Sequence, residues 1–188
     1  MMQKRILDIL VCLLLLPLFL VISLPIALAI KLTSKGNILI WSKRIGRGNK
    51  LFLMPKFRSM RIDTPQVATH LLSNPEYYIT SVGKFLRKTS LDELPQLISV
   101  LSGQMSLVGP RPALFNQDDL VQLRTKVNVH LLKPGITGWA QINGRDDIAV
   151  AAKVALDAEY LKRQSFSFDL KIMVLTAVQV LKKENISH

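Results

Sequence analysis

The sequence predicts an α/β domain of α+β type, mainly helical, with one apolar helix at its N-terminus. Three observations predict it. An uncharged run, Ile9 to Ile30, comes first. Two short extended stretches then flank a glycine-containing turn. The second half of the chain returns twice to long segments of helical composition. On this pattern residues 1–32 are a membrane helix and residues 33–188 a compact body. The 188 residues are 49% hydrophobic, enough for a packed core and against disorder.

The apolar run leaves three readings open. As a straight helix its 22 residues would extend about 33 Å, the thickness of a bilayer core. A cleaved signal would use Lys4 and Arg5 before the run and Ala27-Leu28-Ala29 as its cleavage site, but the run is long for that and Asp8 sits at its start. A spanning helix meets basic residues on both sides, with no acid after the run until Asp63, so orientation is ambiguous. A helix broken near Pro17 or Pro25 would dip into one leaflet and return, keeping both basic flanks on one face.

The body follows in order. "NILIW" and "LFLMPKFRSM" read as two strands around "RIGRGNK", whose Gly46 and Gly48 are turn glycines, not a dinucleotide fingerprint. Residues 62–80 are polar and read as a loop around a short helix. "LPQLISVLSG" reads as a short helix ended by Gly103. "MSLVGPRPALF" is a strand or turn with a stiff Pro-Arg-Pro corner. Asp118 to His130 reads as helix, and Lys133 to Arg145, with three glycines, as a shaped loop. Ala149 to Gln164 is helical. "FSFDLKIMVLTAVQVLKK" closes as a helix whose thin polar stripe (Asp169, Thr176, Gln179, Lys183) leaves most of its circumference for protein or lipid.

Charge narrows the partners. Lys and Arg number 25 against 13 Asp and Glu, a formal charge of +12. That suits nucleic acid, anionic lipid or a phosphorylated substrate. Cys12 is the only cysteine and the three histidines are scattered, so neither an internal disulfide nor a zinc site is indicated.

Against this basic background, "LRKTSLDELPQL" places Asp92 beside Glu93. One reading is a capping box, with Ser90 as N-cap and Glu93 at N3. The other is chemical. A carboxylate at a helix N-terminus is held ionised, and the same backbone donors attract phosphate. An ionised Asp there could attack phosphorus or bind Mg²⁺. Adjacent acids are poorly placed to face each other across a glycosidic bond, which disfavours sugar hydrolysis.

Six stretches in order resemble the monotopic phosphoglycosyl transferases, the bacterial sugar transferase family: "KRILDI", "KFRSM", "GKFLRKTSLDELPQL", "MSLVGPRP", "KPGITGWAQINGR" and "FDLKI". The resemblance covers nearly the whole chain. It implies a catalytic domain over 33–188 on the cytoplasmic face of a bacterial inner membrane, with a re-entrant N-terminal helix and amphipathic helices at the interface. It implies transfer of a sugar-1-phosphate from a UDP-sugar to polyprenyl (undecaprenyl) phosphate with release of UMP, the first membrane step of polysaccharide assembly. Asp92 matches the family's nucleophile, which forms a covalent phosphosugar intermediate and carries Mg²⁺. Glu93 matches the second acid, in a supporting acid/base role. Lys56 and Arg87 match phosphate-binding residues, and Arg111 and Arg145 are implied anion contacts. At the expected helix break, family members often carry Ser-Pro. Here Leu20-Val21 stand at that point, with Pro17 and Ser23-Leu24-Pro25 nearest.

A homodimer is a further candidate partner. Two rivals differ in class. A membrane-tethered nucleic-acid-binding module would use the positive charge, but no nucleic-acid motif is present and aromatics are only 6%, leaving little stacking surface. A noncatalytic scaffold would not need the Asp-Glu pair.

Overall fold

The structure is a computed structural model that describes residues 2–65, 67, 73–144 and 148–182. Helix α1 (Met2–Thr33) is followed by strands β1 (Leu39–Ile45) and β2 (Leu51–Phe57), then α2 (Pro75–Tyr78), α3 (Ser81–Lys88) and α4 (Gln96–Leu101). Strand β3 (Ser106–Val108), α5 (Asp118–Lys126), β4 (Gly135–Thr137), α6 (Trp139–Gly144), α7 (Val150–Arg163) and α8 (Phe166–Lys182) complete the order.

The mainly helical expectation holds, but the sheet content is smaller than α/β suggests. Strands β1 and β2 form an antiparallel hairpin, with Ile40 opposite Lys56 and Ile45 opposite Leu51. Strands β3 and β4 form a second, parallel pair with Ser106 opposite Gly135 and Val108 opposite Thr137. The described strands build two separate two-stranded sheets. Three-residue strands such as β3 and β4 are too short to carry a sheet across the domain, so helices supply the layers.

Pro17 and Pro25, where the sequence places a break, both lie inside α1. Helix α1 runs through both prolines. Each proline removes one backbone donor, and its ring crowds the carbonyl four residues earlier. Both rings lie on the exposed side, where they disturb no packing. The helix is anchored at both ends. Cys12 joins a core cluster with Met54, Val100, Tyr160 and Ile172. Ile26 and Ile30 join another with Phe57 and Leu86. Polar contacts reinforce the ends: Arg5 Nη2 donates to Leu101 O at 2.7 Å, and Arg58 Nη2 to Ser34 O at 2.9 Å.

Asp8 is buried, as an acid needing a partner should be. Its partners are neutral donors, a hydroxyl and a backbone amide. Ser106 Oγ and the Leu107 amide donate to its Oδ1 at 3.0 and 2.9 Å. Lys4 instead reaches Asp169 Oδ2 at 2.7 Å and Val108 O at 2.8 Å.

Helix α8 inverts the usual amphipathic pattern. Its polar residues face the protein: Asp169 is buried, Thr176 bonds Thr137, and Gln179 Nε2 donates to Ile142 O at 2.8 Å. Val174, Leu175 and Val178 are exposed. Lys183 lies outside the described residues. Helix α1 shows the same inversion: Lys4 and Asp8 turn inward, while Leu14, Val21 and Leu24 are exposed.

The glycine-rich segment is strand and helix as well as loop. A Cβ at Gly109 would fall 2.4 Å from Lys133 O, and one at Gly138 only 2.1 Å from Gly109 O. Backbone-to-backbone approach this close demands glycine.

Candidate active site

The acid pair sits on a 3-10 turn, Leu91–Glu93, between α3 and α4. The capping box is not formed. Ser90 has φ 57°, in the left-handed region, and makes no side-chain cap bond. Helix α4 begins only after Pro95. The turn is held by its flanks: Leu91 and Leu94 pack against the cluster of Phe57 and Leu86. With about three residues per turn, Asp92 and Glu93 point away from that cluster and in different directions.

Glu93 Oε1 accepts from two cations. Lys56 Nζ, near the end of β2, lies 2.7 Å away, and Arg111 Nη2 of the Pro-Arg-Pro corner 3.2 Å away. Burial would raise the Glu93 pKa, but Lys56 and Arg111 overcome it and hold the carboxyl well below the usual range. Asp92 differs. It is only 7% exposed. Burial pushes its pKa up, Lys56 pulls it back, and the Glu93 charge adds to the rise; Arg87 and Arg111 pull it down less strongly. The expectation that a helix N-terminus holds Asp92 ionised is therefore corrected. The turn precedes the helix, and desolvation dominates.

Five of the six residues expected at the site meet in one cleft of about 940 Å³: Lys56, Arg87, Asp92, Glu93 and Arg111. Arg145 lies outside the described residues. Among the described lining residues, nine are basic and two acidic. Such a cleft concentrates anions and suits a phosphorylated ligand.

Two residues next to the site escaped sequence reasoning. Arg124 on α5 and Asp157 on α7 form a buried ion pair, Nη2 to Oδ2 at 2.6 Å. Burial pushes the Asp157 pKa up, and Arg124 pulls against it. A signal was present. Val154, Asp157 and Tyr160 are all buried along one side of α7. An acid on a core-facing helical stripe needs a cation.

The family model for bacterial sugar transferases matches residues 1–183. The chain is 44% identical to the UDP-glucose:undecaprenyl-phosphate glucose-1-phosphate transferase of Escherichia coli (strain K12), over 92% of this chain and 39% of that protein. It is 41% identical to the protein of the same name from Xanthomonas campestris pv. campestris, over 85% of this chain and 35% of that one. It therefore spans little more than a third of either relative. It is also 42% identical to the uncharacterized sugar transferase EpsL of Bacillus subtilis (strain 168), over 100% of this chain and 92% of that protein. With a family match along almost its whole length and an acid pair set in a basic cleft, this chain belongs to the bacterial sugar transferase family.

Proposed function

We propose that the protein moves a sugar-1-phosphate from a UDP-sugar to undecaprenyl phosphate, releasing UMP, as the first membrane step of a glycan pathway. The observation that carries this reading is the buried Asp92 beside a Glu93 clamped by Lys56 and Arg111, in a cleft rich in cations. The names of the E. coli and Xanthomonas relatives support the donor and acceptor classes.

In this reading the ionised Asp92 carboxylate attacks the sugar-bearing phosphorus. A carboxylate–phosphorus bond forms, the bond to the UMP oxygen breaks, and UMP leaves with the electron pair. An oxygen of undecaprenyl phosphate then attacks the same phosphorus and returns Asp92 as carboxylate. Lys56, Arg87 and Arg111 offset phosphate charge as it shifts between groups. Glu93, held ionised, is poorly suited to give a proton at neutral pH; its role is to hold Lys56 and Arg111 in place.

Mg²⁺ fits this site in one mode only. Among the described residues no group of three His, Cys, Asp or Glu side chains could cage a metal. Mg²⁺ is commonly bound by one or two carboxylates plus substrate phosphates. Asp92 and the donor diphosphate would hold it, with Glu93 occupied by its cations. When bound, the ion would neutralise charge on the diphosphate.

The exposed apolar sides of α1 and α8 favour contact with lipid. Helix α1 is long and apolar enough to cross a membrane. Its attachment to the body near both ends favours a helix lying in one leaflet, and the family's substrates favour a cleft on the cytoplasmic face. There the polyprenyl tail stays in lipid while its phosphate meets a soluble donor.

The test is UMP release in detergent with Mg²⁺, undecaprenyl phosphate and a panel of UDP-sugars. Wild type should release UMP from at least one sugar, and Asp92→Asn should not. Donor alone should add the mass of a phosphosugar to wild type. Equal UMP release by both proteins would sink the nucleophile assignment.

A further inference from the structure

Each carbonyl of the Pro110-Arg111-Pro112 corner accepts from a different part of the chain. The Gly135 amide donates to Pro110 O at 2.9 Å. Arg124 Nη1 donates to Arg111 O at 2.8 Å. Arg44 Nη1 donates to Pro112 O at 3.2 Å. The two prolines fix φ on either side of Arg111. The corner is stiff, and these three donors fix where it sits.

Arg124 is the buried member of the set, at 7% exposed. Its Nε and Nη2 both meet Asp157 Oδ2, at 2.9 and 2.6 Å. Asp157 is 1% exposed. Leu120 of α5 and Val154 of α7 already pack together beside the pair. A buried ion pair is weak evidence for stability, because well-packed apolar residues often hold two helices as well. An apolar pair could not donate to the Arg111 carbonyl. Nor could lysine serve both ends, since its ammonium is a single point, whereas the guanidinium is a rigid fork.

We propose that Arg124, fixed by Asp157, is a positioning residue that sets Arg111 over the acid pair for phosphate binding. The route is continuous: Asp157 orients the Arg124 fork, the fork holds the Arg111 backbone, and the Arg111 side chain reaches Glu93 at 3.2 Å. This rests on the reading of Arg111 as a phosphate contact in the transfer reaction.

The test is a double-mutant cycle on the full chain in detergent, reading UMP release across UDP-sugar concentration to separate KM from kcat. Arg124→Lys keeps a charge for Asp157 but gives up the Arg111 carbonyl. It should raise the UDP-sugar KM about tenfold or more, as small misplacements of binding groups do. In the Arg111→Ala background the same substitution should change UMP release by less than about twofold, the mark of coupled residues. Equal losses in both backgrounds would make Arg124 merely structural and overturn the proposal. If Arg124→Lys does not fold, Asp157→Asn, which keeps the acceptor oxygen without the charge, is read in the same cycle with the same criteria. A wild type that releases no UMP from any sugar would instead remove the transfer reaction, and this inference with it.

Discussion

Lys56 and Glu93 meet at 2.7 Å, joining the hairpin to the turn that carries the acid pair. Both side chains are largely shielded from water, at 12% and 18% exposed. The contact therefore counts for more than a surface ion pair, where the gain is typically about 0–1 kcal/mol. Lys56 also acts on Asp92, lowering its pKa against the effect of burial. Replacing it by methionine keeps most of the apolar stem and removes the charge. Lys56→Met should lower kcat for UMP release by about 10²-fold, the usual scale for losing one preorganised charge contact. It should also shift the acid limb of the kcat/KM profile to higher pH, because Asp92 loses its strongest ionising neighbour. A rate within twofold of wild type and an unmoved limb would remove Lys56 from the site's electrostatics.

The two acids respond to pH with opposite signs. Asp92 has its folded pKa raised, so its contribution to stability is present below the unfolded value of about 3.9 and is lost as pH rises through the folded value. Glu93 has its folded pKa lowered, so its contribution is present above the unfolded value of about 4.3 and is lost as pH falls toward the folded value. At pH 7 an ionised Asp92 therefore costs stability. Asp92→Asn should raise Tm at neutral pH while abolishing UMP release, and its advantage should shrink as the pH falls. Glu93→Gln should lower Tm at neutral pH. Melting curves of both variants between about pH 4 and 8, spanning the carboxylate range, check the signs. A lower Tm for Asp92→Asn at pH 7 would contradict the burial of its charge.

The elements were legible because their signals are local. The hairpin, the short helix before Gly103 and the helices from Asp118, Ala149 and Phe166 all appear in the sequence as composition and punctuation. The meeting of Lys56, Asp92 and Arg111 was readable only through the family resemblance, since these residues are joined by tertiary packing. Ser90 misled because a capping box and a left-handed turn use the same residue types. The role of Asp169 was hidden for another reason. A polar residue on an apolar helix looks like part of a solvated stripe until a partner from a distant segment, here Lys4, appears beside it.

Lys4 and Asp169 fasten the first helix to the last described one. Asp169 is nearly inaccessible and also accepts from Tyr160 Oη at 2.6 Å. Removing the cation would leave a buried charge, a loss of about 3–5 kcal/mol. Lys4→Met should therefore destabilise the protein strongly, lowering Tm by roughly 10 °C at this chain length. The double variant Lys4→Met/Asp169→Asn should recover part of the loss, because it leaves no buried charge. Thermal melts in one detergent compare the three proteins. A double variant no better than Lys4→Met would show that Asp169 does not depend on Lys4 for its charge.

Gly83 sets the position of α3 and hence of Arg87. A Cβ there would fall 1.8 Å from the Ser59 carbonyl oxygen, a backbone atom that cannot swing aside. The helix must then move off the strand that carries Lys56, and Arg87 moves with it. Gly83→Ala should cost about 1–3 kcal/mol, the range for overpacking, although alanine is the better helix former. Gly48 provides the contrast. It has φ +66° in the hairpin turn and no neighbour within 4 Å of a Cβ. Gly48→Ala should cost about 1 kcal/mol from left-handed backbone strain alone, and UMP release should stay unchanged because the turn lies outside the cleft. Gly83→Ala should lower both Tm and kcat. A Gly83→Ala protein as stable and as active as wild type would mean that Ser59 and α3 are not in contact.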